Sequence, residues 1–388
     1  MQTKLSFAEV TKPVYYFQTV AATNDFNSSV KWRKCLEIFQ SITYTTIYVA
    51  LIYSISSNTV FLFSIPHTSV IVSVITSISL LISDWMTIYG FTLKYFFKKT
   101  VARTNKTIDD VDELLSKQGM GIGMIDANNN IRKLTIYGIV IVSLYLLFLI
   151  TPSVFLDEFE GLRLLRFVAF QIVTLSILFQ YWSWCTILRS RFKLINNSLV
   201  TYDVDDGFIN YLEWLIDLHK KLIELAKSIN HCFNIILLFF TSFILITLTT
   251  QGYIIVYTVI VKYPIKQIKE VVLTLEYVLY DVIRFVIVLY GTEGMCLEAN
   301  STIRLLHGVI VEPENVHLRN RIISKSLMLM NNKLEIIVCK LFHFNRSLFY
   351  SMCATVAMNL VIMIQFDVDS AKRTTVLNPF NKTTNGTN

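Results

Sequence analysis

Seven long runs of apolar residues alternate with polar linkers along the chain. A helix rises about 1.5 Å per residue and the bilayer core is about 30 Å thick, so a run of about 20 apolar residues crosses it. The runs lie near Cys35–Ile55, Ser69–Gly90, Leu134–Thr151, Leu164–Leu188, Cys232–Val261, Val271–Gly291 and Leu348–Phe366. We therefore predict an all-α membrane protein, with seven transmembrane helices and long cytosolic helical extensions in a single membrane domain over residues 1–388.

The linkers on one side of the membrane also carry helical patterns. Before the fifth run, apolar residues recur every three or four positions at Leu215, Leu218, Leu222, Leu225, Ile229 and Cys232. This spacing gives one apolar helix face, so we predict a helix that continues into the fifth span. Residues 181–200 prolong the fourth span in the same way, and a further helix is expected at about Asn315–Met330. The fifth run exceeds what a bilayer needs, so it tilts, extends out of the membrane or breaks near Gln251-Gly252.

Composition supports a polytopic membrane protein and argues against a soluble enzyme. The chain is 53% hydrophobic and 16% charged, whereas soluble domains carry about 25% charged residues. We find no catalytic constellation and no metal-binding motif, so we predict neither enzyme activity nor a cofactor. The basic residues are scattered between the apolar runs, which argues against nucleic acid as a partner. The six cysteines include no Cys-x-x-Cys and are predicted to be reduced packing residues.

The distribution of positive charge predicts the orientation of the helices. Twenty-six of the 35 Lys and Arg lie in segments 1–34, 91–133, 189–231 and 292–347, whereas six lie in the linkers of the opposite side. Positive residues favour the cytosolic side, so the N-terminal segment 1–34 is predicted inside. An odd number of spans then places the tail 367–388 outside, where Asn381 and Asn385 are candidate glycosylation sites. This orientation is opposite to that of a G-protein-coupled receptor.

Charged residues inside the sixth run are candidate functional groups, because charge at membrane depth is costly. Asp281 and Arg284 are three residues apart, so we predict an intramembrane ion pair on one helix face. Glu276 has no partner by sequence, which leaves its carboxylate available to a ligand. With this glutamate, the candidate ligand pocket comprises Tyr280, Gln171, Tyr145 and Tyr253. Ordinary helix packing would use the same residues, and the sequence leaves both interpretations open.

The last run carries a recognisable pattern. The segment FHFNRSLF, Phe342–Phe349, leads into it, and five apolar residues, Leu360–Ile364, precede Gln365-Phe366 near its end. This pattern resembles the last helix of insect gustatory receptors, in which Thr-Tyr and five apolar residues precede Gln-Phe. The chain departs from the pattern at Met358-Asn359, where the family has Thr-Tyr.

The resemblance implies a multi-pass receptor of the plasma membrane that acts as a ligand-gated, non-selective cation channel. Four subunits, alike or mixed with other gustatory receptors, would each contribute the helix 348–366 to a central pore. Ile362, Gln365 and Phe366 share one face of that helix and are the expected pore and gate residues. The expected partners are a small-molecule tastant, membrane lipid and permeating cations. Leu360 stands where sugar-type receptors tend to carry an acid, which favours a bitter-type receptor.

Three alternatives to a bitter-type receptor stay open from the sequence. A sugar-type gustatory receptor and an odorant receptor subunit that needs a co-receptor share the same scaffold. A secondary transporter is the alternative from a different functional class. It predicts broken helices and paired repeats, which the sequence does not display.

Overall fold

The structure of the chain is a computed structural model that describes residues 31–58, 70–120, 128–130, 132–133, 136, 138, 140, 161–201, 207–260, 268–308 and 316–377. Tyr145, Asn381, Asn385 and most of the predicted third span lie outside these residues. The helices are α1 Lys31–Asn58, α2 Val70–Lys117, α3 Gly161–Thr201, α4 Phe208–Ile260, α5 Ile268–His307, α6 Val316–Asn331 and α7 Arg346–Leu377. Strands β1 Ile337–Val338 and β2 Phe342–His343 form a small hairpin between α6 and α7. The predicted all-α fold class is confirmed.

Several helices are much longer than a bilayer is thick. Helix α4 has 53 residues, which corresponds to about 80 Å of helix. Its predicted apolar face is confirmed, because all six of its members are buried. The polar side chains Asp217, Lys221, Glu224 and Lys227 between them are exposed. The same helix passes through Gln251 and Gly252 without a break, so the long fifth run is one continuous helix and the expected break at this point is absent.

Helix α2 continues beyond its apolar run to Lys117, a continuation that the sequence analysis did not predict. Ile108, Val111 and Leu115 are buried at helical spacing and hold this polar extension against the rest of the chain. Gly119 ends the helix in a left-handed conformation, with φ of 80°. Its N–H donates to the Ser116 carbonyl, and the Met120 N–H donates to the Leu115 carbonyl. These two hydrogen bonds form the Schellman motif, which satisfies the last carbonyls of a helix.

Four helices in the described part of the chain are long and apolar enough to cross a membrane. They contain the segments Val74–Leu93, Leu165–Thr201, Phe208–Val256 and Arg346–Phe366. The predicted first span lies in α1, whose apolar stretch Ile42–Tyr53 is shorter. The predicted sixth span lies in α5 and carries three charged residues. The count of seven spans and their orientation therefore stay predictions.

The chain divides into two compact units. The first comprises residues 1–57, 84–238 and 287–346, and the second comprises residues 58–83, 239–286 and 347–388. Residues buried in the first unit include Phe192, Leu222 and Ile236. In the second unit, Tyr253 and Met363 form a buried contact. Helices α2, α4 and α5 each contribute residues to both units.

Candidate functional site

The second unit contains a buried ion pair. Asp281 and Arg284 are one turn apart on α5, and the Arg284 Nη2 atom lies 2.6 Å from the Asp281 Oδ1 atom. Their side chains are 0% and 4% exposed, respectively. Two charges so deeply buried are tolerated only when each compensates the other, because removal from water costs several kcal/mol per ion. The contact neutralises the charge of both residues within this helix.

Aromatic rings complete the surroundings of Arg284. Its guanidinium carbon lies 5.1 Å from the centre of the Phe240 ring and 5.2 Å from the centre of the Tyr280 ring. The Phe240 ring in turn packs against Phe285, with 5.9 Å between their centroids. A cation near aromatic faces is attracted by their quadrupoles, and Arg is the residue that most often uses this contact. Helices α4 and α5 are therefore joined here by a buried charge as well as by apolar contact.

Glu276 lies one helical turn before Tyr280 on α5. Its side chain is partly exposed, whereas its Oε1 atom is buried and forms no hydrogen bond with any residue that the structure describes. Asp281 and Arg284 compensate each other, so the net negative charge of this part of α5 resides on Glu276. The arrangement places a carboxylate beside a phenol ring, a combination that attracts an organic cation.

Tyr253 belongs to a different cluster of the second unit. It is buried against Met363 of α7, and Ile75, Ile254, Leu360 and Ile364 pack around the two. A side chain at Gly252 would meet Leu360, because a Cβ atom there would lie 3.2 Å from the Leu360 Cδ1 atom. Glycine at position 252 therefore permits the close approach of α4 and α7. Tyr253 takes part in the contact between these helices.

The remaining face of α7 is exposed in the single chain. Ile362, Gln365 and Phe366, the expected pore and gate residues, all lie on this exposed face. The face that carries Leu360, Met363 and Ile364 is the one packed around Tyr253. Helix α7 thus packs one apolar face against other residues of the second unit, whereas the face with Ile362, Gln365 and Phe366 is exposed in the single chain. Gln365 lies near the end of the apolar segment Arg346–Phe366.

Comparison with known proteins identifies the family. A family model described as 7tm chemosensory receptor matches residues 11–370. The chain belongs to this family. The receptor has no match among curated proteins.

Solved structures show the fold that the receptor shares. The insect olfactory receptor OR5 from Machilis hrabei is similar with a TM-score of 0.58 and 11% sequence identity, over 92% of this chain and 97% of that chain. The structure of the same olfactory receptor in complex with eugenol is similar with a TM-score of 0.53, at the same identity and coverage. The receptor therefore has the helical membrane fold of an insect odorant receptor, and its family is one of chemoreceptors rather than of enzymes.

The first unit of the receptor holds Gln171, the remaining described member of the predicted pocket. It is fully buried on α3. Tyr145, the last predicted member, lies outside the described residues. In the second unit, Glu276 lies one helical turn before Tyr280 on α5, Tyr280 contacts Arg284 of the ion pair, and Tyr253 lies in the cluster with Met363.

Two buried ion pairs of the first unit join residues far apart in the sequence. The Asp84 carboxylate accepts hydrogen bonds from the Arg166 guanidinium, at 2.9 Å from Nε, and from the Tyr48 hydroxyl at 2.9 Å. Arg191 donates to both carboxylate oxygens of Asp112, at 3.0 and 2.8 Å. The sequence analysis named neither pair. For the pair of Asp84 and Arg166, the only signal in the sequence was that each is an isolated charge within an apolar segment.

No group of three or more His, Cys, Asp or Glu side chains comes close enough to hold a metal ion within the described ranges. The described cysteines other than Cys35, namely Cys185, Cys232, Cys296, Cys339 and Cys353, are not joined by disulfides.

Proposed function

We propose that this chemosensory receptor is a gustatory receptor of the plasma membrane, and that it acts as a tastant-gated, non-selective cation channel. The observation that carries the proposal is the two-faced last helix. One face of α7 packs around Tyr253, and the other carries Ile362, Gln365 and Phe366 in exposed positions. The apolar segment Arg346–Phe366 of α7 is long enough to cross a membrane, and the exposed Gln365 amide near its end suits it to line a water-filled pathway.

The physical argument concerns the Gln365 amide. An amide that faces lipid without hydrogen-bond partners costs roughly 2–7 kcal/mol. In a pore, water and passing cations solvate the same amide, and the cost disappears. Ile362 and Phe366 lie beside Gln365 on the helix. In the proposed assembly, these two residues from every subunit together form an apolar ring that closes the pathway by dewetting. The proposal requires several copies of α7 around one axis, and we propose four subunits of this receptor.

The proposed tastant site lies around Glu276 and Tyr280 of α5. The net negative charge and the neighbouring phenol ring suit a small molecule with an amine or quaternary ammonium group. Many bitter compounds are organic cations, so the site supports a bitter-type receptor. The olfactory receptor OR5 has been solved in complex with eugenol, which supports a small organic molecule as the class of ligand.

In this mechanism the tastant acts by differential affinity. A ligand that binds the open arrangement more tightly than the closed one shifts the population toward the open channel by that difference. Opening moves the α7 helices apart and widens the ring of Ile362 and Phe366. Sodium, potassium and calcium ions then follow their gradients through the pore, and the membrane lipid forms the outer boundary of the channel.

A second candidate, an odorant receptor subunit, is favoured by the similarity to OR5. The two candidates differ in whether the receptor conducts when it is expressed without a co-receptor. A gustatory receptor of the proposed kind conducts alone, and a subunit that needs a co-receptor does not.

The experiment that tests the proposed function compares Glu276→Gln with the wild type in Xenopus oocytes. Denatonium serves as the cationic probe and sucrose as the neutral sugar. We expect denatonium to evoke a cation current in the wild type and sucrose to evoke none. Glu276→Gln removes the carboxylate charge, so we expect the half-activating denatonium concentration to rise about tenfold, which corresponds to about 1.4 kcal/mol.

The matched control is Glu224→Gln, which makes the same change at an exposed position of α4. We expect its denatonium response to equal that of the wild type. An unchanged response of Glu276→Gln at equal surface expression would remove Glu276 from the tastant site. A sucrose current in the wild type would replace the bitter-type assignment by the sugar-type one.

A further inference from the structure

Two side chains of α5 hold the first residue of the last helix. The Arg346 Nε atom lies 2.9 Å from the Glu293 Oε2 atom, and the Arg346 backbone N–H donates to the same oxygen at 3.2 Å. The Arg346 guanidinium also lies over the Tyr290 ring, 4.7 Å from its centre. Tyr290 and Glu293 are one turn apart, so they present one face of α5 to Arg346.

Glu293 therefore caps α7 from another helix. The first four N–H groups of a helix have no partner within it, and the helix dipole favours a negative charge at this end. The Glu293 carboxylate supplies both a hydrogen-bond acceptor and that charge. Its side chain is only 18% exposed, so water screens the contact less than it screens a surface ion pair. A single oxygen serves the guanidinium and the backbone amide, so displacement of Glu293 breaks both contacts together.

The hairpin just before α7 is held independently by α4. Its turn contains Cys339 and Lys340 with φ of 47° and 60°, a left-handed conformation that side chains other than glycine and asparagine rarely adopt. The Asn234 Oδ1 atom accepts the Cys339 N–H at 2.6 Å. Asn230, one turn earlier on α4, donates to the Ile337 carbonyl at 3.2 Å. These contacts compensate for the unfavourable turn and fix the chain immediately before α7.

We propose that Tyr290 and Glu293 form a latch on Arg346 that stabilises the closed arrangement of α7. The hairpin held by Asn230 and Asn234 is the fixed point, and the latch is the contact that opening releases. The inference rests on the proposed function, because it requires that α7 lines the pore. In this proposal, tastant binding at Glu276 is coupled to the latch through the backbone of α5, because Glu276 and Glu293 lie seventeen residues apart on that helix.

The first arm of the test measures how firmly the start of α7 is held, by hydrogen exchange of the purified full-length receptor in detergent. Glu293→Ala removes the charge and the acceptor, so we expect amides 346–353 to exchange about fivefold faster, as for loss of a helix cap. Glu293→Gln keeps an acceptor for the amide, so we expect a smaller increase. Arg346→Ala should also accelerate exchange. The double variant with Glu293→Ala and Arg346→Ala should exchange no faster than Glu293→Ala alone, because the two residues act through one contact.

The second arm measures the resting current in oocytes without tastant, normalised to receptor at the cell surface. We expect Glu293→Ala to raise the ratio of open to closed channels about fivefold and to lower the half-activating denatonium concentration. Glu335→Gln is the matched control, because Glu335 forms an exposed pair with His343 of the hairpin at 3.5 Å. We expect this control to leave both exchange and resting current at wild-type values.

Each outcome decides the proposal. Faster exchange together with a higher resting current supports the latch. If hydrogen exchange is unchanged in Glu293→Ala, the contact with α5 does not stabilise the start of α7. If exchange is faster but the resting current is unchanged, the contact has no part in channel opening. Either result overturns the proposal. A wild-type receptor that conducts no cations with any probe instead overturns the proposed function, and the latch falls with it.

Discussion

Removal of one partner from the buried ion pair of α5 should destabilise the receptor strongly. Asp281→Asn keeps the size of the side chain and removes its charge, which leaves the Arg284 guanidinium buried without a counter-ion. Loss of one member of such a pair costs about 3–5 kcal/mol. The contacts of Arg284 with the Phe240 and Tyr280 rings are retained in the variant. Because these contacts persist, we expect the free energy of unfolding to fall by about 3 kcal/mol, near the lower end of that range.

The compensating variant makes the reasoning testable. Asp281→Leu combined with Arg284→Met removes both charges and fills a similar volume with apolar atoms. Replacement of a buried ion pair by apolar residues is often neutral or stabilising. The double variant loses the two cation–π contacts, which contribute roughly 0.5–2 kcal/mol each. We therefore expect its stability to lie within about 1 kcal/mol of the wild type, well above that of Asp281→Asn.

The measurement is thermal unfolding of the purified receptor in detergent, followed by tryptophan fluorescence. At about 2 °C per kcal/mol for a large domain, Asp281→Asn should lower the midpoint by roughly 6 °C. Asp217→Asn is the control, because Asp217 and Lys220 form an exposed pair with the same spacing on α4, at 3.5 Å. Such surface pairs contribute little. The reasoning is refuted if Asp281→Asn unfolds at the same temperature as Asp217→Asn, or if the double variant is as unstable as the single one.

Two further predictions concern topology and the pore. Because the basic linkers are predicted inside, an epitope tag after Asn388 should be stained on intact cells, and a tag before Met1 should be stained only after permeabilisation. The reverse staining pattern would contradict the predicted orientation. Phe366→Ala should raise the tastant-independent current by widening the apolar ring, and Gln365→Glu should raise the preference for divalent cations by adding a ring of negative charge. If both pore variants reach the surface with wild-type resting current and selectivity, this face does not line the pore.

Local patterns in the sequence predicted the helices well. The apolar positions from Leu215 to Cys232 follow helical spacing, and all are buried in α4. Asp281 and Arg284 are neighbours on one helix, so their contact depends only on α5 being helical. The helix expected at about Asn315–Met330, which is α6, and the prolongation of the fourth span were predicted from equally local patterns. In each case the information lies within a few residues of the feature that it determines.

Contacts between distant segments could not be predicted in this way. Asp112 and Arg191 are 79 residues apart, and Glu293 and Arg346 are 53 residues apart. Which charged residues meet depends on how the helices pack, and a single sequence holds no direct record of that packing. The extension of α2 to Lys117 was missed because its three buried apolar positions are surrounded by charged residues.

The turn of the hairpin is another feature that depends on distant residues and could not be predicted from the local sequence. Cys339 and Lys340 carry no local signal for positive φ, since neither is glycine or asparagine. The Cys339 N–H donates to Asn234 of α4, and Asn230 of the same helix donates to the carbonyl of Ile337, two residues before Cys339. Tertiary contacts thus override the local preference of the backbone at this turn.

The central claim is that this receptor alone forms a tastant-gated cation channel, and recording from purified protein in planar lipid bilayers tests it most directly. Purified receptor, with no other protein present, is incorporated and exposed to denatonium on the side predicted to be extracellular. We predict discrete openings that increase with denatonium concentration, reverse near 0 mV between equal sodium and potassium solutions, and shift with a cation gradient. Bilayers that contain the receptor but show no denatonium-dependent openings, or openings selective for chloride, would contradict the claim.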